Sequence, residues 1–249
     1  MKRLRVMSVF GTRPEAIKMA PVVAELAAHP AIESRVLVTA QHREMLDQVL
    51  EHFGIVPDYD LNIMQEGQRL EEITCRVLEG ASEVLAQARP DLVLVHGDTT
   101  TTFASALAAF YRGIAVGHVE AGLRTRDKFA PFPEEINRHL TAVLADLHFA
   151  PTPGARDNLM AEGVARERIW VTGNTAIDAL LRTVSPAYSF RTPLLRELDF
   201  ASRRVLLVEA HRRENWNGPM ERICRALLEV VRRLPETEIV YSVHRNPQV

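Results

Sequence analysis

The chain is poor in the features that mark secreted and membrane-spanning proteins. Among its 249 residues only two are cysteines, Cys75 and Cys224, and both fall inside helical patterns far apart in sequence. This argues against a disulfide framework, and we expect a reduced, cytoplasmic protein with both thiols in its core. No apolar run approaches the roughly 18 residues that a transmembrane helix needs, so no membrane span is expected.

An excess of one charge and the common metal and nucleotide motifs are also missing. The chain has 30 basic and 32 acidic residues, a formal net charge of -2, which argues against nucleic acid or a membrane surface as a partner. There is no HExxH and no paired CxxC, so no metal site is expected. Without GxGxxG or GxxxxGK, the sequence supports neither the usual dinucleotide fold nor a P-loop.

Strand and helix patterns alternate along the whole chain, which predicts an α/β fold with a parallel sheet. The segment SPAYSFRTP, residues 185–193, is the clearest linker. We place a first domain at residues 1–172, and the linker with the first part of a second domain at 173–249. The second region holds two strands and one helix, too few to cover both faces of a parallel sheet, so we expect that domain to be incomplete in this chain. Pro21 is expected to end or kink the first helix.

Three acidic residues follow apolar segments and are the strongest indication of chemistry. Asp98 ends VLVHGD and Glu120 ends VGHVE, two apparent neighbouring strands whose ends should meet at one edge of the sheet. Glu134 lies in PFPEE, within a loop that mixes charge, aromatic rings and prolines. Structural alternatives remain open: Asp98 could cap a helix, Arg124 could simply pair with Glu120, and Glu134 could stabilise a helix dipole.

Cationic residues flank the same predicted edge. In FGTRPEAIKMAP, Gly11 lies at a strand-to-helix turn and Arg13 and Lys18 follow, a plausible corner for a diphosphate because a helix N-terminus offers backbone N–H groups. The AHRREN turn contains His211 and Arg212, which could hold phosphate or donate a proton. His244 occupies the equivalent position one strand later. Solvated basic turns are the alternative for each segment.

Several long strings closely resemble the non-hydrolysing UDP-N-acetylglucosamine 2-epimerases of bacteria. They are FGTRPEAIKMAP, TAQHREMLDQVL, VPDYDLNIM, EITCRVLEG, LVHGDTTTT, GHVEAGLRT, TGNTAIDALL and HRREN. The resemblance implies two Rossmann-like domains facing a cleft, as in GT-B glycosyltransferases. It implies reversible conversion of UDP-N-acetylglucosamine to UDP-N-acetylmannosamine through 2-acetamidoglucal, with no cofactor, in a homodimer.

The same resemblance assigns roles to individual residues. Its catalytic group falls on Asp98, Glu120, Glu134, Lys18 and His211. Its substrate-binding group falls on Gly11, Arg13, Arg212 and His244. An allosteric site for a second substrate molecule is implied near Gln41, His42 and Arg43.

Some positions depart from the family pattern and keep other functions open. Glu209 replaces a small residue or threonine, Phe132 stands where tryptophan is common, and Ser242 and Arg245 replace a proline and a leucine. The family also continues for well over 100 further residues, so we expect a C-terminally truncated chain that binds UDP weakly and turns over poorly or not at all. The alternatives are a non-catalytic UDP-sugar-binding paralogue and a GT-B-type glycosyltransferase.

Overall fold

The computed structural model describes residues 2–41, 43–65, 67–210 and 218–243. The chain divides into two compact units, Met1–Val184 and Ser185–Val249. Within the described residues, no helix is both long enough and apolar enough to cross a membrane.

The first unit is built on a seven-stranded sheet in which every neighbouring pair is parallel, which confirms the predicted α/β fold. The strand order is β3-β2-β1-β4-β5-β6-β7. Apolar side chains of β1 alternate between two clusters, with Val6 and Phe10 on one face and Met7 and Val9 on the other, so both faces of the sheet are buried. The strands are β1 Leu4–Phe10, β2 Ile32–Val38, β3 Tyr59–Asp60, β4 Leu92–His96, β5 Ala115–Val119, β6 Leu147–Ala150 and β7 Ile169–Val171.

Helices cover both faces of this sheet. The first two helices pack on the face that holds Phe10, and the next two on the face that holds Met7. A 3-10 turn, Arg166–Arg168, precedes β7. The helices of this unit are α1 Arg13–Ala28, α2 Arg43–Phe53, α3 Leu70–Ala88, α4 Thr100–Tyr111, α5 Glu134–Leu144, α6 Pro153–Ala161 and α7 Thr175–Thr183.

The strand order reverses between β1 and β4. From β1 the chain runs outward through β2 and β3, then returns to place β4 on the other side of β1. The turns after β1 and β4 therefore diverge and leave a crevice at the carboxyl ends of the strands, which is where open α/β sheets bind ligands.

The second unit contains one parallel strand pair. β8 (Arg204–Val208) pairs with β9 (Thr237–Tyr241), and α9 (Gly218–Arg233) connects them. The short helix α8 (Pro193–Arg196) precedes them. The predicted strand-helix-strand pattern of this region is confirmed.

The structure changes two expectations about helices. α1 does not end at Pro21, because the buried residues before and after the proline belong to one continuous packed face that outweighs one lost backbone hydrogen bond. The prediction of core thiols is wrong, since Cys75 and Cys224 are both exposed. Cys75 lies two residues beyond the buried Ile73 of α3, a rotation of roughly 200° that turns it away from the sheet.

The division between the units lies after α7 rather than before it. The sequence placed the boundary between residues 172 and 173, whereas the first unit extends to Val184. α7 is held to this unit by an ion pair from Arg182 to Glu25 of α1 and a hydrogen bond between Thr183 and His52 of α2.

Replacing Gly11 by alanine should destabilise the protein, because a Cβ there would lie 1.9 Å from Thr39 Oγ1 and 2.7 Å from Thr101 Oγ1. Overpacking of this kind costs about 1–3 kcal/mol. The matched control is Gly154→Ala in α6, where the added Cβ meets Thr152 Oγ1 at 3.9 Å. That change should be neutral or slightly stabilising. Urea unfolding compares the two variants, and equal stabilities would contradict this account of Gly11.

Candidate active site

A cavity of about 400 Å³ lies at the carboxyl ends of β1, β4 and β5 in the first unit. It gathers residues from six separate segments of the sequence. Six of the predicted site residues line it together: Arg13, Lys18, Gln41, Asp98, Glu120 and Glu134. The sequence-based expectation that the acids from β4 and β5 meet at one edge of the sheet is therefore confirmed.

Glu120 is held by a cation and an amide. Lys18 Nζ lies 2.8 Å from Oε1 and 2.6 Å from Oε2 of Glu120, and Asn174 Nδ2 donates to Oε2 at 2.9 Å. His96 Nε2 lies 4.0 Å from the same oxygen. The alternative that Arg124 pairs with Glu120 is wrong, because Arg124 forms its ion pair with Glu162 instead.

Two residues of α5 hold Asp98 in place. Arg138 Nη2 lies 2.9 Å from Asp98 Oδ2, and Asn137 Nδ2 donates to the Asp98 backbone carbonyl at 3.0 Å. Burial raises the pKa of Asp98 to about 6 against the opposing charge of Arg138, with a smaller contribution from Glu134. The helix-cap alternative is wrong, since Thr99 caps α4 by accepting from Thr102 N.

The two glutamates of PFPEE have different surroundings in the first turn of α5. Glu134 lines the cavity, whereas Glu135 is fully buried. Burial would raise the pKa of Glu135, but hydrogen bonds from the backbone N–H groups of Arg126 and Thr125 hold it below its ordinary value. Both glutamates lie in the first turn of α5, where a carboxylate stabilises the helix dipole, so that structural role fits both. Only Glu134 also lines the cavity.

Glu15 was missed by the sequence reasoning, although it belongs to the GTRPE string. It is 2% exposed, and its Oε2 accepts from the backbone N–H groups of Gly11 at 2.9 Å and Thr12 at 2.7 Å. Its Oε1 accepts from Thr99 Oγ1 at 2.6 Å, and Thr102 Oγ1, which donates to the His96 carbonyl, lies 3.0 Å from the same oxygen. The sequence did contain a signal for it. Glu15 is the third helical residue after the N-cap Thr12, and a glutamate at this position completes a capping box by accepting from the backbone of the N-cap residue.

The α1 N-terminus therefore differs from the expected anion corner. The N–H groups of Gly11 and Thr12 are taken by Glu15, and Gly11 is buried behind the cavity wall rather than among its lining residues. What remains for an anion is the positive end of the helix with two side chains, Arg13 and Lys18. Arg13 is exposed and forms no ion pair with any described residue.

Buried histidines lie beneath the site. His96 and His118 are 3% and 0% exposed, and burial lowers the pKa of each to about 3, so both rings are neutral. His118 Nε2 donates to the carbonyl of Gly97 at 2.7 Å, which supports the turn before Asp98. His96 lines the cavity and was also missed by the sequence reasoning.

Other predicted residues fall outside this constellation. His42, His211, Arg212 and His244 lie outside the described residues. The guanidinium of Arg43 is bound to two carboxylates, Asp47 and Asp60, which raise its pKa. Of the predicted allosteric group, Gln41 lines the cavity and accepts from Thr101 Oγ1 at 3.0 Å.

The arrangement suits proton transfer beside an anionic ligand. Four carboxylates line one cavity, those of Glu15, Asp98, Glu120 and Glu134, and burial raises the pKa of Asp98 to about 6. Two cations lie at a helix N-terminus on the same cavity. Within the described part of the chain, no group of three or more His, Cys, Asp or Glu residues is arranged to hold a metal ion.

Comparison with known proteins identifies relatives across the chain. Residues 24–249 match the family model described as UDP-N-acetylglucosamine 2-epimerase. A UDP-N-acetylglucosamine 2-epimerase of Bacillus subtilis (strain 168) is 57% identical over 249 residues, covering 100% of this chain and 64% of the relative. The crystal structure of UDP-GlcNAc 2-epimerase from Neisseria meningitidis bound to UDP-GlcNAc is 49% identical, with a TM-score of 0.87 over 99% of this chain and 67% of that one.

A more distant structure shares the fold alone. A lipopolysaccharide outer core galactosyltransferase is 12% identical with a TM-score of 0.55, over 96% of this chain and 68% of that one. The chain spans about 65% of the length of the first curated relatives that it matches.

Replacing Glu15 by glutamine should destabilise the protein by about 1–3 kcal/mol, because Oε2 accepts two backbone N–H groups, Oε1 accepts the Thr99 hydroxyl, and the amide NH₂ must face one of these sets of donors. The matched control is Glu72→Gln. Glu72 has the same third position in α3 and accepts from Arg69 N at 2.9 Å, but its side chain is 39% exposed. The control should therefore cost much less stability than Glu15→Gln. Thermal or urea unfolding measures both, and similar losses would refute the special role of Glu15.

Asp98 should titrate near pH 6 in the folded, ligand-free protein. Because its ordinary value is 3.8, the folded state binds the proton more tightly than the unfolded chain between about pH 4 and 6. The stability that Asp98 contributes is therefore present below that window and is lost as the pH rises through it. Carboxyl ¹³C NMR, assigned by comparison with Asp98→Asn, measures the midpoint. Glu134→Gln should lower it, and a wild-type midpoint near 4 would be inconsistent with this site.

Proposed function

Because the chain belongs to the UDP-N-acetylglucosamine 2-epimerase family, we propose that it interconverts UDP-N-acetylglucosamine and UDP-N-acetylmannosamine. The observation that carries the proposal is the meeting of Asp98, Glu120 and Glu134 with Arg13 and Lys18 in one cavity. The family match covers residues 24–249, which include the three acids but not Arg13 and Lys18. Since the chain spans about 65% of the length of its relatives, its activity is a property to be measured on the chain itself.

The chemistry explains why several acids are needed. The hydrogen on sugar C2 has no neighbouring carbonyl, so simple deprotonation there is too costly. In the proposed reaction a base removes the C2 proton while the C1–O bond breaks and UDP leaves with the electron pair. The intermediate is 2-acetamidoglucal. UDP oxygen then bonds to C1 again, and an acid returns a proton to the opposite face of C2.

The proton transfers are assigned to the three carboxylates as a set. Opposite faces of C2 require acid–base groups on both sides of the sugar, which one carboxylate cannot supply. Asp98, with a pKa of about 6, populates both protonation states near neutrality and suits either direction of transfer. Glu120 forms an ion pair with Lys18 at 2.6 Å, an arrangement that suits a base or an electrostatic support for the transition state.

The cations are assigned to the departing diphosphate. Arg13 is exposed on the cavity and has its guanidinium available for a bidentate contact. Lys18 uses two of its three N–H groups on Glu120, so one remains for a phosphate oxygen. The family resemblance predicts that His211, Arg212 and His244 also act on the substrate.

The reaction neither oxidises nor reduces the sugar, so it needs no nicotinamide, and the family resemblance implies no metal. A homodimer and a cytoplasmic location are further parts of the proposal, and both come from the resemblance of the sequence to the family.

The test is incubation of the purified chain with UDP-N-acetylglucosamine in D₂O, followed by proton NMR of the sugar. We expect loss of the C2 proton signal and appearance of the manno isomer. Asp98→Asn, Glu120→Gln and Glu134→Gln should each slow this exchange by about 10²–10⁴-fold. Glu71→Gln, a carboxylate 68% exposed on α3, is the matched control and should leave the rate unchanged.

Other outcomes would replace the proposal. Ligand-induced shifts without C2 exchange would make the chain a UDP-sugar-binding protein. Release of UDP with free N-acetylmannosamine would identify a hydrolysing enzyme. Consumption of UDP-sugar only with an added acceptor would identify a glycosyltransferase.

A further inference from the structure

Two consecutive residues of α5 contact Asp98: Asn137 lines the cavity, and Arg138 lies behind its wall. Asn137 holds its backbone carbonyl at 3.0 Å and Arg138 holds its carboxylate at 2.9 Å. Both residues are 8% exposed. Arg138 is not among the residues that line the cavity, so it acts on Asp98 without facing a ligand.

Arg138 is itself held between two carboxylates. Its Nε lies 3.5 Å from Glu135 Oε2 on the preceding turn of α5. Glu135 is anchored in turn, because it accepts the backbone N–H groups of Thr125 at 3.1 Å and Arg126 at 2.9 Å. The guanidinium charge is thus divided between a fixed carboxylate and one that faces the cavity.

The negative charges around Asp98 make the ionisation of its carboxyl group depend on Arg138. Burial disfavours its ionised form, and Glu134, Glu120 and Glu15 add negative potential from α5, the β5 end and α1. Among the described residues, Arg138 is the cation whose charge lowers the pKa of Asp98 against the burial and the three carboxylates that raise it. His96, which lies beneath the cavity, is neutral and supplies no positive charge.

We propose that Arg138 is a positioning residue for the reaction, which fixes the Asp98 carboxylate at the cavity wall and keeps it available in its ionised form near neutral pH. This inference rests on the proposed function for its catalytic consequence. Its electrostatic part concerns the ligand-free protein and can be measured without turnover.

The first measurement is the carboxyl ¹³C titration of Asp98 in three variants. Arg138→Met should raise the midpoint by about 1 pH unit or more, because an opposite charge this close lowers a carboxyl pKa by about 1–3 units. Arg138→Lys should restore part of the shift. Glu135→Gln should move the midpoint the other way, because the guanidinium would no longer be shared.

The matched control is Arg124→Met. Arg124 is also a buried arginine paired with a carboxylate, Glu162 at 2.7 Å, with its side chain 1% exposed. Among the described residues it makes no ion pair or hydrogen bond with Asp98, so its loss should reduce stability without moving the Asp98 midpoint.

The second measurement is the pH profile of C2 exchange. Arg138→Met should move the acid limb upward with the Asp98 midpoint, whereas a merely structural arginine would lower the rate evenly at all pH values. An unchanged midpoint in folded Arg138→Met, or in Arg138→Lys and Glu135→Gln if the methionine variant does not fold, would overturn the inference. Absence of exchange in the unchanged chain would count against the proposed function alone, since the titrations still decide the role of Arg138.

Discussion

The buried carboxylate of Glu15 is the interaction on which the rest of the site depends. One oxygen is bound by the turn after β1 and the other by the start of α4, so a single side chain joins the two turns that diverge at the reversal of strand order. A buried carboxylate is tolerated when donors satisfy it, and here the N–H groups of Gly11 and Thr12 and the hydroxyl of Thr99 do so. Arg13 and Lys18 project from one joined segment and Asp98 from the other, so their separation follows from this connection.

Among the described residues, some charged side chains of the cavity form ion pairs and others do not. The two kinds can play different parts in binding and catalysis. Glu120 and Asp98 each have a cation within 3 Å, which fixes the direction of each carboxylate. Arg13 and Glu134 face the same cavity at its edge, where a ligand can complete their interactions. Preorganised groups of this kind need little rearrangement when charge develops on a substrate. The neutral histidines below contribute shape and hydrogen bonds without adding charge.

Much of the fold was predictable because local patterns dominate it. The alternation of strands and helices and the apolar runs of β4 and β5, which precede Asp98 and Glu120, agree with the sequence analysis, since buried parallel strands and amphipathic helices have distinct periodicities. The failures have a common cause in tertiary packing. α1 continues through Pro21 instead of ending there. α7 belongs to the first unit because it packs on α1 and α2. Both outcomes depend on contacts between distant segments, which the local sequence does not reveal. The two-residue strand β3 was too short to produce a pattern.

The sequence by itself determined which chemical groups the site contains: the motifs place Asp98, Glu120, Arg13 and Lys18 at strand ends and helix starts, and parallel β-α-β connections bring those ends to one edge. Only the tertiary structure decided which group pairs with which. It directs Arg124 to Glu162 and Arg138 to Asp98, and it buries Glu15 under both turns. Ion pairs and pKa values depend on distances and burial between segments far apart in the chain, and no spacing within a single motif encodes them.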